Sequence, residues 1–493
     1  MAENSWYIKT YDNPTIKLDE ISIPDYEYGT NSSGISDRRV RQSLRKGEVY
    51  PIIQLKQRHF SKDAINSFVL SVSGKDSFLP SLMVTVTDSD GTFLGRDYPL
   101  DGDLISIYVK SSVVELKPIR ADFLVTDVMS NSNNPDGRGV KYSMSGVMKV
   151  PGLFGEFCQA YRDKTSWEVM RQVARELNLG FASNVSQTSD RQTWICPFDS
   201  KKTFIQQVTS RAYQDDESFF ISFIDENYIL NFINVNRQFS LSEKFDPAKF
   251  ARFIEPTYYS ETADSNSSVE TTELFLSNSN ALSGKNNSID GYSLHNTTGE
   301  INNNHGYKRI VQFYDKRSKA YESQEVLPLT TENADDKLLL RGRVGEDDWK
   351  LDVKYKWLGL QTDGKVGNVH TNYHYAKIQN VQNNLHTRKM MLNCQTTMYN
   401  PNLRRYFRIP VLIVTKGDVA QMITNKREED LTKDYSEIPD LFLSGFYVVY
   451  DITYIYEATD RRIRCEYKLM KREWELNFDA TLDPEFSKRL EKS

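Results

Sequence analysis

Strict alternation of apolar and polar positions is the strongest signal in this chain, and it occurs twice in the same three-strand form. The first copy spans Asp101 to Lys149. Asp103–Lys110 places Ile105, Ile107 and Val109 on one side and Leu104, Ser106 and Tyr108 on the other. Asp122–Met129 follows, then a turn rich in Asn, Pro and Gly, then Val140–Met148 with Val140, Tyr142, Met144 and Met148 on one face. The second copy spans Phe407 to Glu473. Phe407–Val414 leads to Phe446–Tyr456, a short turn at Glu457–Asp460, and Arg462–Met470, where Ile463, Cys465, Tyr467 and Leu469 oppose Arg462, Arg464, Glu466 and Lys468. A period of two with one apolar face predicts antiparallel strands covering a core on one side. Two such units far apart in one chain predict a duplicated β-domain.

The rest of the chain fills in around them. Residues 1–47 read as a polar N-terminal arm, ending in the basic cluster Arg38, Arg39, Arg41, Arg45 and Lys46, which the pattern assigns to a solvated arm packing on a neighbouring subunit. Residues 48–150 form the first β-domain, with further strands at Tyr50–Leu55, Ser67–Ser73 and Ser81–Thr87 and a hairpin turn at Asp90-Gly91. The period then changes to that of a helix. Thr165-Ser166-Trp167-Glu168 is a capping box, Val169, Met170, Val173, Ala174 and Leu177 share a face, and Gly180 is placed to end the helix. A strand at Thr193–Cys196, a second helix capped by Ser200, and a hairpin over Ser218–Val235 complete an α+β domain at 151–255. Residues 256–369 form a polar insertion and linker with a few strands. Its Asn/Ser/Thr-rich stretch at 260–305 lacks the apolar area needed to offset chain entropy, so a mobile or surface-draped insertion is expected there, with order returning at Tyr307–Phe313. The second β-domain occupies 370–475, opening with strands at Tyr375–Val381 and Lys389–Thr396, and 476–493 is a polar tail. The fold class predicted is α+β, mainly β.

With 493 residues the chain exceeds what one hydrophobic core supports, consistent with several domains. A net charge of −5 gives no general attraction for nucleic acid or an anionic membrane. Four cysteines lie far apart with no CxxC pair, as expected of thiols in a reducing compartment. No apolar run approaches the roughly 18 residues of a membrane span, and residues 1–30 lack the apolar core of a signal peptide, so a soluble protein made inside the cell is expected.

Candidate chemistry is sparse. No nucleophile elbow, phosphate-binding loop or dinucleotide fingerprint is present. His370 and His374 have the spacing of two metal ligands on a helix, but no Glu lies between them and the segment is rich in strand formers, so the metal reading loses. Asp88-Ser89-Asp90-Gly91 lacks the later ligands of a calcium loop. The acidic pairs Asp101/Asp103, Asp215/Asp216 and Asp347/Asp348 are adjacent or nearly so, unlike the opposed carboxylates of a glycosidase, and read as turn formers. Trp167 and Trp194 border apolar stripes and read as core. No catalytic residue, cofactor or metal site is predicted, and the chain is expected not to be an enzyme.

The order of parts carries a resemblance. GDLISIYV, DFLVTDV and YSMSGVMKVPGL close the first β-domain; SWEVMRQVARELNLGF and the helix–hairpin segment after it follow; FYVVYDITYIYEATDRRIRCEYKLMKREW ends the second. This order is similar to that of baseplate hub proteins of contractile-tailed phages, relatives of the N-terminal part of type VI secretion spike proteins, over about residues 45–255 and 370–475. The resemblance implies two tube-forming β-barrel domains per chain, three chains forming a pseudo-sixfold ring, and a position joining the hexameric tail tube protein to the trimeric central spike protein. It also implies contacts with other baseplate (wedge) proteins, DNA only in transit through the channel, no membrane insertion, and assembly into the virion tail in the host cytoplasm. Strand parity makes Leu104, Ser106 and Tyr108, and Arg462, Arg464 and Glu466, the candidate subunit-interface residues. The alternative reading is a trimeric receptor-binding fibre or adhesin component.

Overall fold

Alternating patterns become strands over most of the chain. The computed structural model describes residues 10–18; 49–239 apart from 57, 61–62, 89–90, 92, 94–97, 101, 112–117 and 132–138; 275–279; 287–297; 308–315; 320–326; 337–339; 352–361; 369–416 apart from 397–398 and 401–402; and 437–475 apart from 441 and 472. Strand β1 is Thr10–Asp12. The first β unit holds β2 (Val49–Leu55), β3 (Arg58–His59), β4 (Ile65–Ser71), β5 (Ser81–Asp88), β6 (Leu104–Ser111), β7 (Ile119–Asn131) and β8 (Val140–Met148). The α+β domain holds β9 (Glu156–Lys164), α1 (Ser166–Glu176), β10 (Gly180–Ser183), β11 (Gln192–Ser200), α2 (Lys201–Ser210), β12 (Phe220–Ile224), β13 (Ile229–Asn234) and the short α3 (Val235–Phe239). After it come β14 (Leu276–Ser277), β15 (Gly291–Asn296), β16 (Lys308–Asp315), β17 (Ala320–Val326), β18 (Lys337–Leu339), β19 (Asp352–Gln361) and helix α4 (Tyr373–His386). The second β unit adds β20 (Met390–Thr396), β21 (Arg408–Leu412), β22 (Val414–Lys416), β23 (Glu437–Pro439), β24 (Gly445–Glu457) and β25 (Arg462–Met470), with β26 (Glu473–Glu475) beyond it. The class is α+β and mainly β, as the patterning requires.

The two β units repeat one plan. The first runs β5-β8-β7-β6 across the sheet; the second runs β20-β25-β24-β21, every neighbour antiparallel. β7 and β24 each have 13 residues, and β8 and β25 each have nine. Both long strands carry a bulge at the same place. Val125 pairs Gly146 and Asp127 pairs Ser145, leaving Thr126 extra; Val449 pairs Leu469 and Asp451 pairs Lys468, leaving Tyr450 extra. Registers on either side agree: Ile105 opposite Phe123 corresponds to Ile409 opposite Tyr447, and Val84 opposite Met144 corresponds to Cys394 opposite Tyr467. All eight of these side chains are buried. Bulges are placed features of a fold, so a shared bulge at matching register marks a duplicated unit beyond a shared preference for strands.

The units are not separate bodies. β24 gives its edge away from β25 to two neighbours: β21 pairs with Gly445–Val448, and β4 of the first unit pairs with Thr453–Glu457. This link fuses both units into one sheet running from β3 to β15. Phe68 of β4 stacks on Tyr456 of β24, with ring centroids 5.2 Å apart. The backbone N–H of Val72 donates to Ile452 and that of Ala458 donates to Asn66 at the two ends of the seam.

In the α+β domain the capping box forms as expected. The Thr165 hydroxyl accepts from the Glu168 N–H, and the Glu168 carboxylate accepts from the Thr165 N–H at 2.8 Å. The helix ends earlier than Gly180 suggests: Asn178 takes the left-handed conformation (φ 57), and Gly180 begins β10. A Cβ at Gly180 would lie 2.6 Å from the Asp12 carbonyl oxygen, because β1 pairs alongside β10 there. Asp12 also receives both Arg171 nitrogens, Nε at 2.7 Å and Nη2 at 2.8 Å. Residues 10–12 of the arm thus pair within their own chain; the basic cluster at 38–46, read as packing on a neighbouring subunit, lies outside the described residues.

Residues 375–381, expected as a strand, are helical in α4, and α4 packs on the α+β domain rather than opening the second β unit. Its buried face is partly polar: Ala376, Gln379, Asn380 and Asn383 follow the helical repeat that an apolar-only pattern overlooks. Asn380 Nδ2 donates to the carbonyls of Thr209 (3.2 Å), Ser210 (3.1 Å) and Ala212 (2.9 Å), and its Oδ1 accepts from the Phe220 N–H at 2.8 Å. One amide thus satisfies the C-terminal end of α2 and the start of β12. Asn380→Ala leaves these groups buried without it and is expected to cost ~1–3 kcal/mol in urea unfolding. A change below about 0.5 kcal/mol would contradict this role.

Candidate functional site

Among the described residues, two groups of buried titratable side chains lie where domains meet. The first surrounds α4. His370 Nε2 donates to the Arg211 carbonyl at 3.0 Å, and the Arg211 guanidinium lies 3.7 Å from the centre of the Tyr373 ring. Burial holds His370 at about 4; burial, then the Arg211, His370 and Lys377 charges, hold His374 at about 4. Both imidazoles are neutral packing groups at ordinary pH. Among the described residues no three His, Cys, Asp or Glu side chains come together as metal ligands.

The second is the turn between β12 and β13. The Asp225 carboxylate accepts from the N–H groups of Asn227 (2.9 Å) and Ile229 (3.1 Å) and from Asn231 Nδ2 (3.2 Å). Burial raises Asp225, and burial together with the Asp225 charge raises Glu226 to about 7, while Arg404 opposes both shifts. The hairpin over Ser218–Val235 is legible in the sequence, but the burial of its turn is not. Residues Phe219, Ile221, Phe223, Ile233 and Val235 of the same hairpin share a core with Tyr406, Val448 and Met470 of the second β unit.

A cleft of about 330 Å³ lies along the same domain boundary, lined by Phe78, Ile221, Arg388, Arg405 and Tyr450 among others. Its cations are engaged. Arg405 donates to the carbonyls of Tyr450 (3.0 Å) and Ser77 (3.3 Å), and Arg388 donates to the Tyr450 hydroxyl (3.1 Å). The Asp215 carboxylate caps its own turn through the Ser218 N–H at 2.7 Å, and Asp216 accepts from the Tyr213 hydroxyl at 2.6 Å. Trp194 is buried and donates to the Lys164 carbonyl at 2.9 Å, and Trp167 packs edge-on to Phe181. Asp103 forms an ion pair with Lys56 at 2.8 Å; Asp101 and Asp347/Asp348 lie outside the described residues.

The candidate interface residues separate in the structure. On β6, Leu104 and Tyr108 are half-buried at the sheet surface, whereas Ser106 is 5% exposed and donates to Asp122 Oδ1 at 2.6 Å. On β25, Arg462 and Arg464 are exposed, Arg464 lies 3.5 Å from Glu457, and Glu466 accepts from Gln395 Nε2 at 2.9 Å. The two sets are not equivalent positions of the repeat: β25 corresponds to β8, and β6 to β21. Strand parity could assign the outward face but not which strands end beside an open edge. That information lies elsewhere. β15 ends the sheet path, and its Tyr292 (42% exposed) and Leu294 (38%) stand out among exposed apolar residues; so does Met129 (65%) in the second half of β7.

The fold thus defines a mainly β, internally duplicated chain whose charged clusters serve domain docking. In structure it is similar to a tail protein from Neisseria meningitidis MC58, at 8% identity and TM-score 0.45, over 86% of this chain and 97% of the other. A 43 kDa tail protein of prophage MuSo2 from Shewanella oneidensis matches at 7% identity and TM-score 0.46, over 86% and 98%. A chain of the half-lidded Francisella PdpA-VgrG complex matches at 8% identity and TM-score 0.39, covering 87% of this chain but only 59% of that one. No protein-family model and no curated protein sequence matches. Among the described residues no helix is long and apolar enough to cross a membrane.

Proposed function

We propose that this chain is a structural protein of a phage tail, the baseplate hub, in which three copies form a pseudo-sixfold ring between the hexameric tail tube and the trimeric central spike. The observation that carries this reading is the duplicated β unit: one plan, with one bulge, built twice and fused into one sheet. Three chains of this kind present six equivalent units to a sixfold partner and three chains to a threefold one. The hub works through surfaces, without catalysis or cofactor; its partners are the tube protein, the spike protein and outer wedge proteins, and DNA passes through its channel in transit. Assembly takes place in the host cytoplasm and the product resides in the virion tail. Mass measurement in solution and electron microscopy test this. A three-chain mass and a short hollow ring are expected; a monomer at all concentrations, or an elongated rod of the kind a receptor-binding fibre forms, would overturn it.

A further inference from the structure

The duplication predicts its own missing contact. Within the chain, β4 of the first unit pairs with the second half of β24. In the repeat, the counterpart of β24 is β7, and the counterpart of β4 is β15. The latter follows from register: Phe68, Val69 and Leu70 of β4 sit opposite Val84, Met83 and Leu82 of β5, as Tyr292, Ser293 and Leu294 of β15 sit opposite Cys394, Asn393 and Leu392 of β20. The side chains agree as well, aromatic for aromatic and Leu for Leu.

Yet β15 and β7 do not meet within the chain. β6 pairs only with Ile119–Leu124, so the same edge of β7 beyond the bulge has no strand partner among the described residues. Among the described residues β15 likewise has a strand partner on one side, β20. Neither stretch carries a guarding charge or proline in its sequence. Exposed edges normally carry Lys, Pro or other charges that block pairing, whereas Gly291–Asn296 and 128–131 contain none. The exposed Tyr292 and Leu294 correspond to Phe68 and Leu70, which at the internal seam are 1% and 0% exposed.

We propose that β15 of one copy adds to the second half of β7 in a second copy of this chain, antiparallel, reproducing between chains the β4–β24 pairing made within them. The internal register transfers directly. Thr453 opposite Ser71, Tyr454 opposite Leu70 and Ile455 opposite Val69 become Met129 opposite His295, Ser130 opposite Leu294 and Asn131 opposite Ser293. Alternating the two seams makes a ring in which every β unit meets its neighbour in the same way, through an edge that is open in the single chain. The inference rests on the ring reading above and names the strands that close it.

Asn131 and Ser293 are both exposed, so paired cysteines there test the seam without disturbing the core. In a Cys158→Ser background, which removes the exposed native thiol, Asn131→Cys with Ser293→Cys is expected to give disulfide-linked species of up to three chains on mild oxidation. Asn131→Cys with Gly291→Cys, two residues out of register, should cross-link at least ~tenfold less, since Cα atoms beyond about 7 Å cannot be bridged. A second variant, Tyr292→Lys with Leu294→Lys, should abolish assembly while leaving the circular dichroism of the chain unchanged. A three-chain mass without in-register cross-linking would overturn the seam and leave the ring standing. A monomer under all conditions would remove both.

Discussion

Phe68→Ala is expected to destabilise the chain by roughly 3–5 kcal/mol, the range for removing a large aromatic from a packed core. Phe68 is 1% exposed and stacks on Tyr456 within 12° of parallel, beside Leu70 and Tyr454, which are both fully buried. The truncation opens a cavity at the β4–β24 seam between the two β units, so the loss is paired with partial uncoupling of the first unit from β24. Denaturant unfolding followed separately by tryptophan fluorescence and far-ultraviolet dichroism reads both effects. A loss below about 1 kcal/mol would mean that the seam contributes little to holding the sheet together.

The second large effect is one of pH. His370 and His374 sit at about 4 in the folded chain against 6.5 when free. The unfolded chain therefore binds more protons between those values. Their contribution to stability is fully present above about 6.5 and is lost as pH falls through about 4, on the order of 3 kcal/mol for each imidazole. The buried carboxyls of Asp190, Asp225 and Glu226 are raised by burial and act in the opposite sense across this window, since the folded chain holds their protons more firmly. A difference measurement separates the two. The stability of wild type minus that of His370→Gln/His374→Gln should fall as pH drops from 7 to 4, because the carboxyl contribution is common to both proteins. A difference independent of pH would show that the imidazoles are not neutral groups locked under α4.

What the sequence made legible was local. Arg462–Met470 is a strand because eight residues, Arg462 to Leu469, alternate without interruption, and α1 begins at Ser166 because Thr165 and Glu168 cap each other. Composition misled where polar side chains take over work usually done by apolar ones. α4 buries Asn380 and Gln379 against the backbone of the α+β domain, so its helical stripe is invisible to a hydrophobic pattern. The Asn/Ser-rich stretch looked too polar to be ordered throughout, yet Gly291–Asn296 within it is β15, supported by the backbone of β20 with its own side chains still exposed. The matched three-strand units were readable in advance; that β4 would join them edge to edge was not, because pairing between distant segments leaves no spacing in the sequence. The buried turn at Asp225 and Glu226 was hidden for the same reason.

Thr126 and Tyr450 also bear on how a flat ribbon becomes a curved wall. An inserted residue sharpens the local twist of a strand, and in β24 it falls between the stretch paired with β21 and the stretch paired with β4. Curvature is thereby written into the strand itself instead of into loops, so the bend keeps its angle however much the intervening connections lengthen or diverge.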